Sequence, residues 1–398
     1  MAKQSTPARL SRTPLAFTAA LASSLLAAAL AQPARAADPR VGFREPRDVT
    51  DGFSVTPRLD AENASFSAVP LPRAPSVVFQ VRVAPPITGE PVADSAGGLL
   101  LAHGRDRVSA LDAKGRSLWS VRLGSELASG PLPFGAAKYL LVGRDGRLFE
   151  VSSAGAVSEA SPLPWNGVDG PVLYAPTSDG GAIVANGARL ARVAPAAARG
   201  FELKLKTLVR AVFEWRGATL AVGRDGSIWL RGTAGDVRKL GGFDAPLVQA
   251  LLVGDRLLGL TQHELLSLDL ATKQASVLWA EPALELRDIA SAAGKRTRLI
   301  AGRSVLIDLD AAGHELGRFP LPVGDSGSEV SGLVLDRAGT SFALASGSPL
   351  LSITPEAEAT GVPGTGCPDP VRVTPVGPNR LVAACRSGLL RGLSDKAR

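Results

Sequence analysis

The chain has 398 residues, of which 45% are hydrophobic, so it is long enough to bury a large core. Aromatic residues account for only 5%, whereas there are 43 Gly and 30 Pro, a composition typical of many turns that excludes a mainly helical protein. The formal net charge is +7, which would favour an anionic partner, but much of this charge lies near the N-terminus.

The first 36 residues have the pattern of a secretory signal peptide. A basic start precedes an apolar run at 15–31, and Ala34-Arg35-Ala36 fits the small-residue cleavage pattern. We therefore predict cleavage between Ala36 and Ala37, no membrane anchor afterwards, and a periplasmic or secreted bacterial protein. An uncleaved anchor is the alternative, although the run is short for a membrane span. Cleavage lowers the formal net charge to about +3, which removes the main support for a nucleic-acid partner.

Residues 37–75 contain many Pro, Asp and Arg and little apolar periodicity, which predicts an extended, largely disordered leader. From residue 76 the chain changes to short alternating apolar runs separated by turns, a pattern typical of β-strands. We therefore place one β-domain at 76–398.

A repeat of about forty residues runs through this domain. Eight apolar residues mark it, each just after a tight turn: Val108, Leu148, Leu190, Ile228, Leu265, Val305, Leu350 and Leu389. A fixed period, with units that cannot bury their own apolar faces, is the signature of an array or a propeller.

Each unit divides into four strands, here called A to D, and the second unit shows them best. Its strands are predicted near 131–134, 138–142, 147–151 and 156–160. Asp145-Gly146 lies between strands B and C, and Asp-Gly favours a tight hairpin turn with positive φ at both central residues.

The two ends of the repeat region complement each other. The eighth unit stops after its third strand, and 76–83 precedes the first unit with Phe79 in the place that Trp119 takes in 117–123. We predict an all-β, eight-bladed β-propeller with four-stranded blades, in which the N-terminal strand closes the last blade and hides two sheet edges. A seven-bladed ring is the alternative.

The segment HGRDRVSALDAKGRSLW, His103–Trp119, resembles the repeat of the pyrroloquinoline-quinone (PQQ)-type β-propellers. That family includes eight-bladed quinoprotein alcohol dehydrogenases and non-enzymatic periplasmic scaffolds. The resemblance covers 76–398 and implies the fold, while leaving the function open.

The sequence departs from the enzymes of that family. Their vicinal disulfide has no counterpart, and no calcium-binding loop appears; Asp308-Leu309-Asp310 comes nearest and is better explained as a strand running into a turn. Three His lie in or beside turns of different units without metal-ligand spacing, and we expect them to be exposed: His103, His263 and His314. We therefore predict no catalytic, cofactor-binding or metal-binding residues and no enzymatic activity.

Two further residue types allow a structural and a functional interpretation. Most of the five Trp are expected to pack between blades, and Trp165, in a D-to-A connection, is the candidate exposed contact. Arginines recur in the B-to-C turns: Arg105, Arg107, Arg144, Arg147, Arg189, Arg224, Arg303 and Arg386. They form either a basic ring for an anionic partner or, as we favour, charge pairs with acidic residues of neighbouring loops.

The two Cys, Cys367 and Cys385, flank the turn of an expected A–B hairpin and would face each other at its open end, so we predict a disulfide rather than two buried free thiols. The whole sequence predicts an exported, monomeric binding scaffold for a protein partner of the cell envelope, without nucleic acid or cofactor. A propeller that binds a glycan or small ligand at its central opening is the alternative, and a degenerate quinoprotein enzyme is a remote one.

Overall fold

A computed structural model describes residues 66–395, apart from residues 68, 95–96, 136, 195–198, 293–294 and 324–328. These described residues form 33 strands, and none of their segments is a helix long and apolar enough to cross a membrane. The predicted signal peptide 1–36, its cleavage site at Ala36 and Ala37, and most of the leader lie outside the described residues.

The strands form eight separate sheets, which are the blades of the propeller. Blade 1 contains β3 (Ile87–Ala93), β4 (Leu99–His103), β5 (Arg107–Leu111) and β6 (Ser117–Arg122), and blade 2 contains β7 (Leu132–Pro133), β8 (Lys138–Val142), β9 (Leu148–Ser152) and β10 (Val157–Ala160). Blade 3 contains β11 (Val172–Pro176), β12 (Ala182–Asn186), β13 (Arg189–Val193) and β14 (Arg199–Lys204). Blade 4 contains β15 (Val209–Trp215), β16 (Ala218–Gly223), β17 (Ser227–Arg231) and β18 (Val237–Gly242).

Blade 5 contains β19 (Gln249–Val253), β20 (Arg256–Leu260), β21 (Glu264–Asp269) and β22 (Ala275–Ala280). Blade 6 contains β23 (Leu286–Ala292), β24 (Arg296–Ala301), β25 (Val305–Asp310) and β26 (Glu315–Pro320). Blade 7 contains β27 (Val330–Asp336), β28 (Ser341–Ala345), β29 (Leu351–Ile353) and β30 (Ala359–Gly361). Blade 8 contains β31 (Pro370–Gly377), β32 (Arg380–Cys385), β33 (Leu389–Asp395) and β2 (Pro75–Arg82).

The eighth blade closes the ring with strands from both ends of the domain. Strand β2 lies antiparallel to β33 as the outer strand, with Phe79 opposite Gly392, and the sheet order is β2-β33-β32-β31. The prediction of eight blades and of closure by the N-terminal strand is confirmed, and the seven-bladed alternative is wrong.

Strand A of each blade is innermost, and these strands contact one another around a central channel. The buried residues form clusters between adjacent blades, because each sheet packs one face on each neighbour. The antiparallel order places the B–C turns and the D–A connections together on one side of the ring, which we call the loop face. The A–B and C–D turns lie on the opposite face.

The described residues between 66 and 75 belong to this fold, so the prediction of a disordered leader up to residue 75 was wrong for them. Strand β1 (Phe66–Ser67) pairs in parallel with β27 of blade 7, with Phe66 opposite Leu335. Leu71 is buried, and its backbone N–H donates to Asp336 Oδ2 at 2.9 Å. A strand of two residues is too short to show any periodicity in the sequence.

The Asp-Gly turns also differ from the prediction. Gly146 has a φ of +84°, but Asp145 does not have positive φ; its Oδ1 accepts the backbone N–H of Arg147 at 3.1 Å. The carboxylate therefore stabilises the turn through a local hydrogen bond, and only the glycine adopts the left-handed conformation.

Candidate binding face and central channel

Some arginines of the loop face are paired with acids, as expected. Arg144 Nε lies 3.1 Å from Glu126 Oε1 of the preceding D–A connection. Arg147 contacts Asp145 at 2.8 Å and Glu159 at 3.0 Å. Burial opposes the charged form of Asp145, but the hydrogen bonds from Arg147 outweigh it and hold the pKa of this carboxyl below its ordinary value.

Five other arginines of the B–C turns are exposed and form no ion pair with any residue that the structure describes: Arg105, Arg189, Arg224, Arg303 and Arg386. They come from blades 1, 3, 4, 6 and 8, so they are distributed around the ring rather than clustered. The prediction of general charge pairing therefore holds for Arg144 and Arg147 but not for these five, and part of the basic ring is free to meet an anionic group.

A cavity of about 420 Å³ opens on the loop face at the mouth of the channel. Arg105, Arg144 and Arg386 line it together with Glu90 and Glu126. Three guanidinium groups and two carboxylates make this mouth polar and slightly basic.

The channel below the mouth holds a second cavity of about 260 Å³, lined by inner strands of blades 1, 3, 4, 5 and 8. Its polar side chains include Glu90, Arg210, Gln249 and Arg372. Arg372 Nε lies 3.6 Å from Glu90 Oε1, and Gln249 Nε2 donates to the Ile289 carbonyl at 3.2 Å.

Arg210 differs from Arg372, since no described carboxylate forms an ion pair with it. The surrounding protein atoms, followed by the charge of Arg224, lower its pKa. Arg210 is nevertheless exposed and lines the open space of the channel. Arg210 is therefore a partly desolvated cation that an incoming anionic group would stabilise.

Trp165, the candidate exposed contact, is buried instead, with only 5% of its surface accessible. It packs with Leu163, Val168 and Tyr174 in the core between blades 2 and 3. The prediction failed because a D–A connection was assumed to be exposed, whereas this connection folds its apolar side chains down between two blades.

The packing interpretation is correct for Trp119. Its ring lies against Gly155 in the C–D turn of the next blade, and its Nε1 donates to the Ser153 carbonyl at 3.0 Å. Phe79 of β2 packs on Gly115 of blade 1 in the same manner. We call this contact, an outer-strand ring over the next blade's turn glycine, the aromatic latch.

Only one of the three histidines is fully exposed, as was predicted for all of them. His103 is buried, its Nε2 lies 2.7 Å from Ser109 Oγ, and burial lowers its pKa. His263 is half-buried beside the Leu284 carbonyl, and His314 is exposed beside Asp310. The three rings remain apart in different blades, so they do not assemble a site.

Cys367 and Cys385 form a disulfide that joins the D–A connection before blade 8 to the end of β32. Among the described residues, these two Cys and Asp369 form a group whose potential metal-ligand atoms all lie within 4.8 Å of one another. The two sulfur atoms are bonded to each other, so they do not offer thiolates to an ion.

A buried charge cluster between blades 6 and 7 has no signal in the sequence. Asp308 is buried and contacts both Arg296 and Arg298. Arg298 also donates to the Thr354 and Pro355 carbonyls of blade 7 at 3.0 and 3.1 Å. The alternation of side chains along β24 predicts that Arg298 faces a neighbouring blade. It does not predict that a carboxylate and two backbone carbonyls contact Arg298 at that interface.

No protein-family model and no curated protein matches this chain. Solved structures resemble it in fold. BamB from Moraxella catarrhalis has a TM-score of 0.61 and 14% identity, covering 81% of this chain and 100% of that one. Sqt1 from Saccharomyces cerevisiae has a TM-score of 0.63 and 9% identity, covering 81% and 99%. Virginiamycin B lyase from Staphylococcus aureus has a TM-score of 0.52 and 10% identity, covering 80% and 99%. At these identities the likeness establishes the β-propeller fold.

Proposed function

We propose that this chain is an exported binding scaffold, without enzymatic activity, whose loop face recruits a protein partner of the cell envelope. The observation that carries the proposal is the set of five exposed B–C turn arginines without described carboxylate partners, Arg105, Arg189, Arg224, Arg303 and Arg386. Guanidinium groups bind carboxylates in a planar, bidentate manner, and the scaffold holds the turns that carry them in fixed positions. The partner should therefore present an acidic segment.

Three features support a location outside the cytoplasm. The N-terminus has the pattern of a signal peptide, and the only two Cys are joined in a disulfide. Disulfides persist mainly in oxidising compartments. The repeat also resembles that of PQQ-type propellers, which include periplasmic scaffolds.

The test is partner capture from native envelope extract with the wild-type protein and with the double variant Arg105→Glu/Arg386→Glu. We expect at least tenfold lower recovery with the variant, because two like charges would face the acidic segment. Recovery by the wild type should also fall with rising salt, since exposed charges are screened.

The matched control is Arg337→Glu, an exposed arginine in the A–B turn of blade 7 on the opposite face. It should capture the partner like the wild type. Equal capture by the loop-face variant and the wild type would exclude the proposed surface.

A small anionic ligand at the channel mouth is the second candidate, because the cavity of about 420 Å³ has the size of a ligand site. Calorimetric titration with acidic oligosaccharides tests it. Binding that Arg144→Glu abolishes and Arg337→Glu preserves would favour this candidate over the protein scaffold.

A further inference from the structure

The outer strand of blade 2, β10, differs from the outer strands of the other blades in its regular edge. In blades 1, 3, 4, 5, 6 and 8 the pairing of the outer strand with its neighbour contains a register shift. Such a bulge twists the edge and interrupts the ladder that a further strand would need. The outer strand of blade 7 is blunted by its length, which is 3 residues. Strand β10 pairs with β9 over its 4 residues without a shift, so it is the described edge best suited to accept another strand.

The turn before β10 determines which of its backbone groups point outward. The backbone N–H of Ser152 donates to the Ala156 carbonyl at 2.8 Å, so these two residues form a hydrogen-bonded pair. Hydrogen-bonded and non-hydrogen-bonded pairs alternate along an antiparallel ladder. The N–H and C=O groups of Val157 and Glu159 are therefore directed away from β9, and both residues are exposed. No hydrogen bond joins these backbone groups to another strand or loop that the structure describes.

A largely apolar groove of about 370 Å³ follows this edge on the side of blade 3. Its lining includes Leu148, Leu163 and Val193. Blade 2 has Ser158 where blade 1 has Trp119, so the outer strand does not fill the groove with a ring of its own. A large side chain of a segment lying beside β10 could therefore enter it.

The charged residues of the groove favour a basic occupant. Three glutamates and one arginine line it: Glu150, Glu159, Glu202 and Arg192. The arginine is already paired with Asp179, whereas Glu202 is exposed and forms no ion pair with a described residue. Exposed ion pairs contribute only about 0–1 kcal/mol each. The acids would therefore select the sign of the ligand's charge, while the backbone ladder and the apolar groove would supply most of the affinity.

We propose that the edge of blade 2 is a second docking site, which takes an extended, basic segment of another protein as an additional strand beside β10. The backbone of this segment pairs with the outward groups of Val157 and Glu159. An aromatic or leucine side chain enters the groove, and a lysine or arginine contacts Glu202. Strand addition draws affinity from backbone hydrogen bonds and specificity from pockets for alternate side chains. This site lies on the rim and is independent of the loop face, for which we propose an acidic ligand.

The probe is a short fluorescent peptide in which Lys alternates with Leu and Trp, and fluorescence anisotropy measures its binding to the purified protein. We expect saturable binding by the wild type. Val157→Pro should weaken binding about tenfold, because proline removes one outward N–H and is tolerated at a sheet edge. The matched control is Val237→Pro in blade 4, where Val237 follows an equivalent turn but belongs to a bulged strand. It should bind the peptide like the wild type.

The groove and the ladder are tested separately. Ser158→Trp should weaken binding about tenfold, because the new ring occupies the groove that the peptide side chain needs. A peptide of the same sequence with N-methyl groups on its backbone nitrogens should bind the wild type about tenfold more weakly, because it cannot donate to a ladder. This peptide keeps the proposal testable if a proline variant does not fold.

Three results would overturn the proposal: no saturable binding by the wild type, equal binding of the two peptides, or an equal loss in Val157→Pro and Val237→Pro. Analytical ultracentrifugation adds a fourth. A wild-type dimer that Val157→Pro dissociates and that the peptide leaves intact would assign the edge to a second copy of this chain.

Discussion

The interface between blades 1 and 2 differs from the interface between blades 2 and 3, although both fill their centres with aliphatic side chains. At the first interface the large ring comes from the outer edge, where Trp119 of β6 lies over Gly155. At the second interface it comes from the loop face, where Trp165 is buried in a D–A connection. The repeat therefore constrains how much apolar volume lies between blades, but not the side from which it is supplied.

The outer edge of the ring is correspondingly uneven from blade to blade. In blade 1, Trp119 is paired with Ala110, which comes two residues after the repeat's apolar marker Val108. In blade 3, Phe201 has the equivalent position and is paired with Arg192. In blade 2 this place belongs to the exposed Ser158, opposite Glu150. Without an aromatic latch, a groove of about 370 Å³ opens there, lined by Glu159–Pro164 and by Phe201.

Removing Trp165 should break the second interface most severely. Trp165→Ala is expected to lower the free energy of unfolding by about 3–5 kcal/mol, because a large buried ring leaves a cavity. Trp165→Phe should cost far less, since the indole Nε1 has no hydrogen-bond partner in the described part of the chain. Chemical denaturation measures both. An alanine variant as stable as the wild type would mean that the side chain is not buried.

Removing the latch ring should weaken the first interface less. We expect Trp119→Ala to cost about 2 kcal/mol, because the ring is only half-buried and one hydrogen bond, to Ser153, is lost. Trp119→Phe is the matched control, since blade 8 uses Phe79 in this role. A phenylalanine variant as unstable as the alanine variant would show that the hydrogen bond, rather than the ring, holds the contact.

Supplying the missing ring should make the two interfaces alike. Ser158→Trp is expected to increase the free energy of unfolding by up to about 1 kcal/mol by covering apolar surface in the groove. Val157→Trp is the control, because its side chain points to the other face of the same strand. A gain for the control alone would contradict the assignment of the groove to the absent latch.

A contact of Trp279, in the outer strand β22 of blade 5, with blade 6 adds a pH dependence that Trp119 should not have. Trp279 Nε1 donates to Glu315 Oε2 at 3.0 Å, and hydrogen bonds from Arg318 hold the pKa of Glu315 below its ordinary value. A depressed carboxyl pKa stabilises the fold at neutral pH, and this contribution is lost as pH falls below about 4.3.

We expect Glu315→Gln to reduce the loss of stability between pH 5 and pH 3 by less than about 1 kcal/mol, because the group is largely exposed. Trp119→Phe should leave that pH slope unchanged, since its acceptor is a backbone carbonyl. Thermal unfolding at the two pH values gives both results, and an unchanged slope in Glu315→Gln would remove the carboxylate from this role.

The strands were predictable where they repeat. Strand β8 was placed at its observed bounds, and Phe79 was correctly equated with Trp119, because alternation and turn residues recur in every unit. The disulfide between Cys367 and Cys385 was also predicted, since both flank one hairpin. Short elements such as β1 were missed because two residues carry no period.

The sequence by itself determined the number of blades, their order and the closure of the ring, because these depend on periodic burial and local turn chemistry. Only the tertiary structure decided which loop side chains are buried, which arginines lack a described acid, and that β1 pairs with blade 7. Those features depend on contacts between residues far apart in the chain, for which no local pattern exists. Trp165 shows the difference most directly: its connection has the sequence of an exposed loop, and its burial depends on a gap that two whole blades create.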